Sequence, residues 1–162
     1  MRKTILGLVV LMAVSAGALS AQTSQTGTAT ITIPTLLQID VTNLTVSFPS
    51  PTFADFTAGT IAPSSGASVI DTRGNVVHDV TIQASAATFT GPYAKSASDL
   101  QWSTDGGSSW TGLSTTATDV ATAVARGAHA GVATVDYQLA LDEAADLPGS
   151  YSLDFTYTVV VN

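Results

Sequence analysis

The chain has 162 residues, with 12 acidic and 5 basic side chains, a net charge of −7 at pH 7 and no cysteine. A surface this acidic repels the phosphate backbone of nucleic acids and argues against nucleic-acid binding, and a chain without thiols has neither disulfides nor thiolate metal sites. Only 10% of residues are charged, and threonine, serine, alanine, glycine and valine dominate, which favours an all-β domain.

The N-terminus has the three regions of a secretory signal peptide. Arg2 and Lys3 precede an apolar run over residues 5–14, and small residues follow over residues 16–21. The apolar run is shorter than the ~20 residues that a membrane-spanning helix needs, so we expect cleavage within residues 18–21 rather than an uncleaved anchor. The mature protein is then secreted or displayed at the cell surface, has no membrane span, and carries a net charge of −9 because two basic residues are lost.

The first half of the mature chain alternates between apolar and polar residues. Ala29, Ile31 and Ile33 alternate with threonines up to a proline, and two further strand-like segments cover residues 37–41 and 44–48. Because proline cannot donate a hydrogen bond to a sheet, the first segment must end there or lie on a sheet edge.

A proline-containing loop is predicted over residues 49–63, and its Phe53 and Phe56 are expected to fill part of the core. Five further strand-like segments follow, at residues 68–71, 76–84, 100–104, 109–113 and 135–141. Residues 119–126 remain open at this stage, because their alanines and threonines suit a short helix capped by Asp119, a loop or an edge strand.

One hairpin carries a recognisable motif. The four residues Ser103, Asp105, Gly107 and Trp110 fit the Asp-box pattern, which resembles the repeats of sialidase propellers and of several secreted β proteins. In that motif the aspartate accepts hydrogen bonds from the turn's own backbone and the tryptophan packs beneath it. The resemblance therefore implies a structural hairpin and not a catalytic element.

The last predicted strand, residues 151–161, has the most regular pattern in the chain. Its apolar side chains occupy every second position and so share one face: Tyr151, Leu153, Phe155, Tyr157, Val159 and Val161. Neighbouring strands or another molecule must cover this face. All segments combined predict an all-β fold, an immunoglobulin-like antiparallel β-sandwich of eight or nine strands, in a single domain over residues 22–162.

The spacing of this strand also resembles a known family. Counted from the C-terminus, its apolar residues stand at even positions from two to twelve, and Gly149 stands at position fourteen. This resembles the C-terminal strand of chaperone–usher pilus subunits. The signal peptide, the Ile-Thr-Ile-Pro start, the asparagine at position 75 and the Pro-Gly-Ser-Tyr segment are similar to the secreted spore coat protein U and fimbrial-like families. Two features depart from pilins, namely Val161 in place of an aromatic residue and the missing cysteine pair.

The resemblance implies a structural subunit, pilus-like or coat-like, that associates by β-strand addition. Its partners would be further copies or homologous subunits and a periplasmic chaperone, and residues 22–33 would be the strand donated to a neighbour. The assembly residues would be Ala29, Ile31, Ile33 and Gly149, with the apolar face of residues 151–161.

The alternative is a monomeric secreted binding module, in which Trp102 and Trp110 stack on a glycan instead of packing within the protein. No enzyme, cofactor or metal site is expected, since His78 and His129 stand far apart in sequence and each suits a surface position at a strand end. The acidic residues 142–146 suit a solvated turn or a calcium site, but they lack the spacing of a calcium-binding loop.

Overall fold

The computed structural model describes residues 25–162, and its regular structure is almost entirely β. Two antiparallel sheets pack face to face within residues 34–162, which confirms the predicted all-β antiparallel sandwich. The nine strands of the described residues are β1 (Leu37–Val41), β2 (Thr60–Ile61), β3 (Ser68–Gly74), β4 (His78–Ala84), β5 (Leu100–Ser103), β6 (Thr111–Gly112), β7 (Thr118–Val124), β8 (Gly127–Ala140) and β9 (Phe155–Val161). The predicted signal peptide and its cleavage zone, residues 1–21, lie outside the described residues.

The two sheets differ in size. The larger sheet has the strand order β1-β3-β8-β5-β6, with β2 also paired to β8, and the smaller sheet has the order β7-β4-β9. At 14 residues, β8 is the longest strand among those described, because β3 pairs along its first part and β5 along its last part. The outer strands β1, β6, β7 and β9 each have one hydrogen-bonded neighbour among the strands that the structure describes.

Alternation along the central strands builds the core. On β4, Val80 and Ile82 are buried, while the alternate residues Asp79, Thr81 and Gln83 are only half-buried. Ile70 on β3 and Val135 on β8 face them from the larger sheet and are fully buried. Burial of each such aliphatic side chain stabilises the fold by about 1.5 to 3 kcal/mol, so these layers hold the two sheets together.

A chain of buried hydroxyl groups also crosses between the sheets. Ser68 on β3 and Tyr137 on β8 lie 3.0 Å apart, oxygen to oxygen, and Tyr137 hydrogen-bonds in turn to Tyr157 on β9. Burial raises the pKa of each tyrosine hydroxyl above the ordinary value for tyrosine, so both hydroxyls are neutral at physiological pH. These bonds tie the C-terminal strand to the opposite sheet.

The structure differs from the sequence predictions between β1 and β3. Residues 44–48 form no strand, because their backbone is held at a single point, where Ser47 O accepts hydrogen bonds from Ser64 N at 2.7 Å and Ser64 Oγ at 3.0 Å. The predicted loop contains a short helix, α1 (Phe53–Ala58), whose capping box joins Thr52 and Asp55. The cap fixes Phe53 at the first helical position, where it is 82% exposed, so the prediction that Phe53 fills the core is wrong.

The second half of the chain matches the predictions more closely. The open question over residues 119–126 is resolved as an edge strand, β7. The last strand begins at Phe155 and not at residue 151, because residues 151–154 leave the ladder with β4 and bond instead to the loop near Thr90. His78 is fully buried and not at the surface, because it has the inward parity of Val80 and Ile82 on β4.

We expect the two tyrosines to contribute unequally to stability. Tyr137→Phe leaves both Ser68 and Tyr157 without this partner and should lower the free energy of unfolding by about 1 to 3 kcal/mol. Tyr157→Phe leaves the bond between Ser68 and Tyr137 in place and should cost about 1 kcal/mol. Urea unfolding of the two variants and the wild type measures both values, and an equal or reversed order would contradict the role of the hydroxyl chain.

Candidate interaction groove

The two sides of the sandwich are built differently. On one side the chain passes from β6 in one sheet to β7 in the other and closes the gap between the sheets. Leu113 in this crossing is 2% exposed, and its N–H donates to Leu100 O at 2.8 Å. The next residue, Ser114, accepts a hydrogen bond at its carbonyl from Ala84 N, also at 2.8 Å. The crossing segment is therefore hydrogen-bonded to both sheets.

On the other side, the edge strands β1 and β9 contact each other without pairing. Leu37 at the start of β1 is opposite Gly74, and Val161 at the end of β9 is opposite His78. Gly74 and His78 are in contact, since a Cβ on Gly74 would lie 3.3 Å from the His78 ring. Leu37 and Val161 therefore mark the same end of the sandwich, and β1 and β9 run in opposite directions along its open side.

An apolar groove lies between these two strands. A cavity of about 310 Å³ is lined from the β1 side by Ile39, Val41 and Leu44 and from the β9 side by Phe155 and Tyr157. Phe155 also lines a second cavity, of about 760 Å³, which continues along residues 147–153. We call these two cavities together the β1–β9 groove.

The larger cavity is walled mostly by segments outside the regular strands. Its apolar lining includes Phe48, Phe56, Phe89, Leu139 and Leu153. Phe48 belongs to the segment that was predicted as a strand, and it is half-buried here. Although residues 44–48 form no strand, they therefore supply one wall of the groove.

A buried ion pair fixes the rim of this cavity. Lys95 is 7% exposed, and its Nζ donates to Asp146 Oδ1 at 2.6 Å and to Ala140 O at 3.1 Å and lies 3.2 Å from Asp99 Oδ2. Asp146 also accepts a hydrogen bond from Asp142 N, so the predicted acidic turn is bound to the protein at this residue. Within residues 25–162 no group of three His, Asp or Glu side chains is placed to hold a metal ion.

The turn before β9 is shaped by close packing around Tyr151. Its hydroxyl donates to Leu147 O at 2.7 Å, four residues earlier, which resembles the tyrosine corner of immunoglobulin-like domains. A Cβ on Gly91 would lie 2.4 Å from the Tyr151 ring, and a Cβ on Gly149 would lie 2.4 Å from Pro92 Cγ. Glycine is therefore required at both positions for the chain to approach this closely.

The predicted assembly residues fall into two groups. Along residues 151–161 every second side chain turns inward as expected, from Tyr151 through Leu153, Phe155 and Tyr157 to Val159, whereas Val161 at the strand end is 58% exposed. Ala29, Ile31 and Ile33 lie in a stretch without regular structure, where Ile31 is 82% exposed and Ile33 is 71% exposed.

The Asp-box residues form the predicted hairpin turn. Asp105 Oδ1 accepts hydrogen bonds from the N–H groups of Ser108 and Ser109 at 2.9 Å and from Ser103 Oγ at 2.6 Å. These bonds, led by the one from Ser103, lower the pKa of Asp105 to about 2. Trp110 lies against Gly107, where a Cβ would come within 3.0 Å of its ring. The motif stabilises its own turn.

The two tryptophans do not form an exposed pair. Trp102 on β5 is 6% exposed and belongs to the core, while Trp110 is half-buried on the Asp-box turn. A glycan therefore has no access to the Trp102 ring in this structure.

Comparison with known proteins gives no match to a family model, a curated protein or a solved structure. None of the helices in residues 25–162 has the length and hydropathy needed to cross a membrane.

The Asp-box carboxylate predicts a defined pH dependence of stability. Because its pKa is about 2 in the folded state and 3.8 in the absence of these bonds, its stabilising effect is present above pH ~4 and is lost as the pH falls through ~2. The difference in urea midpoint between wild type and Asp105→Asn should therefore be largest at pH 5 to 6 and should shrink towards pH 2.

Ser103→Ala serves as the companion variant in this experiment. It removes the hydrogen bond that contributes most to the lowered pKa, so the pH-dependent loss of stability should be smaller than in the wild type and should be complete at a higher pH. A difference between wild type and Asp105→Asn that stays constant from pH 2 to 6 would show that the charge of Asp105 does not stabilise the turn.

Proposed function

We propose that this protein is a secreted or cell-surface structural subunit, pilus-like or coat-like, that associates with further copies by β-strand addition. The observation that carries the proposal is the β1–β9 groove. On its β6–β7 side the sandwich is closed by a chain crossing. On its β1–β9 side it has two strand edges that no described strand pairs with, above an apolar cavity. In β-strand addition, an extended segment bonds to such an edge through its backbone, and pockets receive every second side chain.

The occupant that we propose is the N-terminal segment of a second copy. Residues 22–33 contain no charged side chain, and alternation puts Ala29, Ile31 and Ile33 on one face. An uncharged, alternating segment suits an apolar groove because no charge has to be desolvated on insertion. Burial of the two exposed isoleucines would supply about 1.5 to 3 kcal/mol each.

The groove has the chemistry that such a donor requires. Ile39, Val41, Phe155 and Tyr157 line it with apolar surface, and β9 offers the N–H and C=O groups of its free edge. The one charged side chain lining the smaller cavity is Asp40, which is exposed because it has the outward parity on β1. An inserted strand would therefore meet apolar side chains along the floor of the groove.

The location and further partners follow from the same proposal. Export through the N-terminal signal sequence would deliver the subunit to a compartment where its open groove needs temporary cover. A periplasmic chaperone that donates a strand of its own would supply that cover. The excess of acidic residues, 12 against 5 basic, would help keep unassembled subunits apart in solution.

The proposal is tested by charging one face of the donor segment in the full mature chain. Ile31→Asp/Ile33→Asp puts two carboxylates on the face that enters the groove, and this variant should remain monomeric where the wild type assembles. The matched control is Thr30→Asp/Thr32→Asp, which adds the same charge on the opposite face and should still assemble. Size-exclusion chromatography and negative-stain microscopy at equal concentrations measure the outcome.

A peptide with the sequence of residues 22–33 provides the second measurement. It should bind to the monomeric Ile31→Asp/Ile33→Asp chain, whose own donor is disabled and whose groove is intact. A wild-type protein that stays monomeric at high concentration, with or without a periplasmic chaperone, and does not bind the peptide would refute assembly by strand addition.

A further inference from the structure

Asn75 holds the chain segment that leads into β1 with three hydrogen bonds. Its side-chain Oδ1 accepts from Leu36 N at 2.8 Å, its Nδ2 donates to Pro34 O at 2.7 Å, and its backbone N–H donates to Leu36 O at 3.1 Å. Asn75 follows directly after β3, whose last residue Gly74 pairs with Leu37. Asn75 therefore extends the β1–β3 pairing to residues 34–36, and we call this contact the Asn75 clamp.

The clamp lies at a particular end of the β1–β9 groove. Leu37 and Val161 mark this end, and β1 enters the groove from here and runs towards Phe155. Residues 34–36 come before β1, so the clamp holds them at the point where the chain first reaches the groove.

Insertion of the donor segment into the groove of its own molecule would require a reversal at this point. The chain would have to turn back within residues 34–36, so that residues 29–33 ran alongside β1 in the opposite direction. The clamp engages both the N–H and the C=O of Leu36 and the C=O of Pro34, and a tight reversal would have to break these bonds. Pro34 adds to the constraint, because a residue that precedes a proline is restricted to extended conformations.

We propose that Asn75 is a positioning residue that directs the donor segment to a second molecule instead of to its own groove. This inference rests on the proposed function and specifies its partner, which is another copy of this chain. With the clamp in place, residues 34–36 stay paired to the end of β3 and the groove stays open. Without the clamp, the chain reverses, the groove is filled by its own donor, and the molecule becomes a closed monomer.

The test compares the full mature wild-type chain with Asn75→Ala and Asn75→Asp. Asn75→Ala loses two hydrogen bonds and should raise the ratio of monomer to assembled protein about tenfold or more at equal concentration. Asn75→Asp keeps the acceptor for Leu36 N and loses the donor to Pro34 O, so its ratio should lie between the other two. Sedimentation velocity measures the ratio.

The control is Asn162→Ala, which makes the same substitution at the same end of the sandwich. It removes the hydrogen bond from Asn162 Nδ2 to Asp79 Oδ1, 3.0 Å long, and leaves the clamp intact. This variant should assemble like the wild type. Asn75→Ala protein that assembles as the wild type does would overturn the inference and leave the proposed function standing.

Peptide binding separates a filled groove from a damaged one. The monomeric Asn75→Ala chain should bind the peptide of residues 22–33 about tenfold more weakly than Ile31→Asp/Ile33→Asp does, because its own donor competes. Adding Asn75→Ala to the Ile31→Asp/Ile33→Asp chain should leave peptide affinity unchanged. Equal affinity in the two monomers, or a loss of affinity in the triple variant, would overturn the inference. A wild type that neither assembles nor supports peptide binding would overturn both proposals.

Discussion

The free edge of β9 leaves one side of the sandwich without the hydrogen bonds that close the other side. Within residues 25–162, β9 has a single neighbour, β4, and no described strand pairs with the backbone groups of its other edge. Its inward face carries Phe155 and Tyr157, which form the floor of an apolar cavity. A free strand edge presents N–H and C=O groups that can pair with another strand, and an apolar cavity beside it can take up that strand's side chains. On the opposite side of the sandwich, the crossing at Leu113 removes the same exposure by joining the two sheets.

The hydroxyl chain explains how β9 stays in place with only one neighbour. Tyr157 reaches across the core to Tyr137, and Tyr137 reaches Ser68, so β9 is attached to two inner strands of the larger sheet, β8 and β3. Phe155 packs against both tyrosine rings, with centroid distances of 5.7 and 6.0 Å. At the far end, Asn162 N donates to Val77 O at 3.2 Å. These contacts fix the position of β9 along one wall of the groove.

The sequence predicted the elements whose pattern is strictly local. The inward alternation from Tyr151 to Val159, the Asp-Gly-Gly hairpin and the run from Val80 to Ala84 were read correctly, because side-chain parity along an extended segment needs no knowledge of its neighbours. The helix α1 was missed, although the capping box of Thr52 and Asp55 is visible in the sequence. The alternation of residues 44–48 suggested a strand, but a strand also needs a partner, and here only Ser47 is bonded, to Ser64 and Ser65.

The β1–β9 groove could not be predicted from the sequence. It arises from strand order, which places β1 and β9 at edges on the same side, and long-range pairing of this kind leaves no local signal. The same holds for the Asn75 clamp, whose partners are 39 and 41 residues away. An asparagine after a glycine indicates a turn, but its hold on residues 34–36 appears only in the fold.

Hydrogen exchange of the assembled wild-type chain tests most directly whether the groove accepts a strand. Mass spectrometry would compare assembled wild type with monomeric Ile31→Asp/Ile33→Asp. We expect amides in residues 29–33, in β1 and in β9 to gain protection on assembly, because each segment acquires a new backbone partner. The free edge of β7 is the internal reference and should be unchanged. Protection gained at β7 with none at β1 and β9 would contradict strand addition at the β1–β9 groove, because assembly would then use the other side of the sandwich.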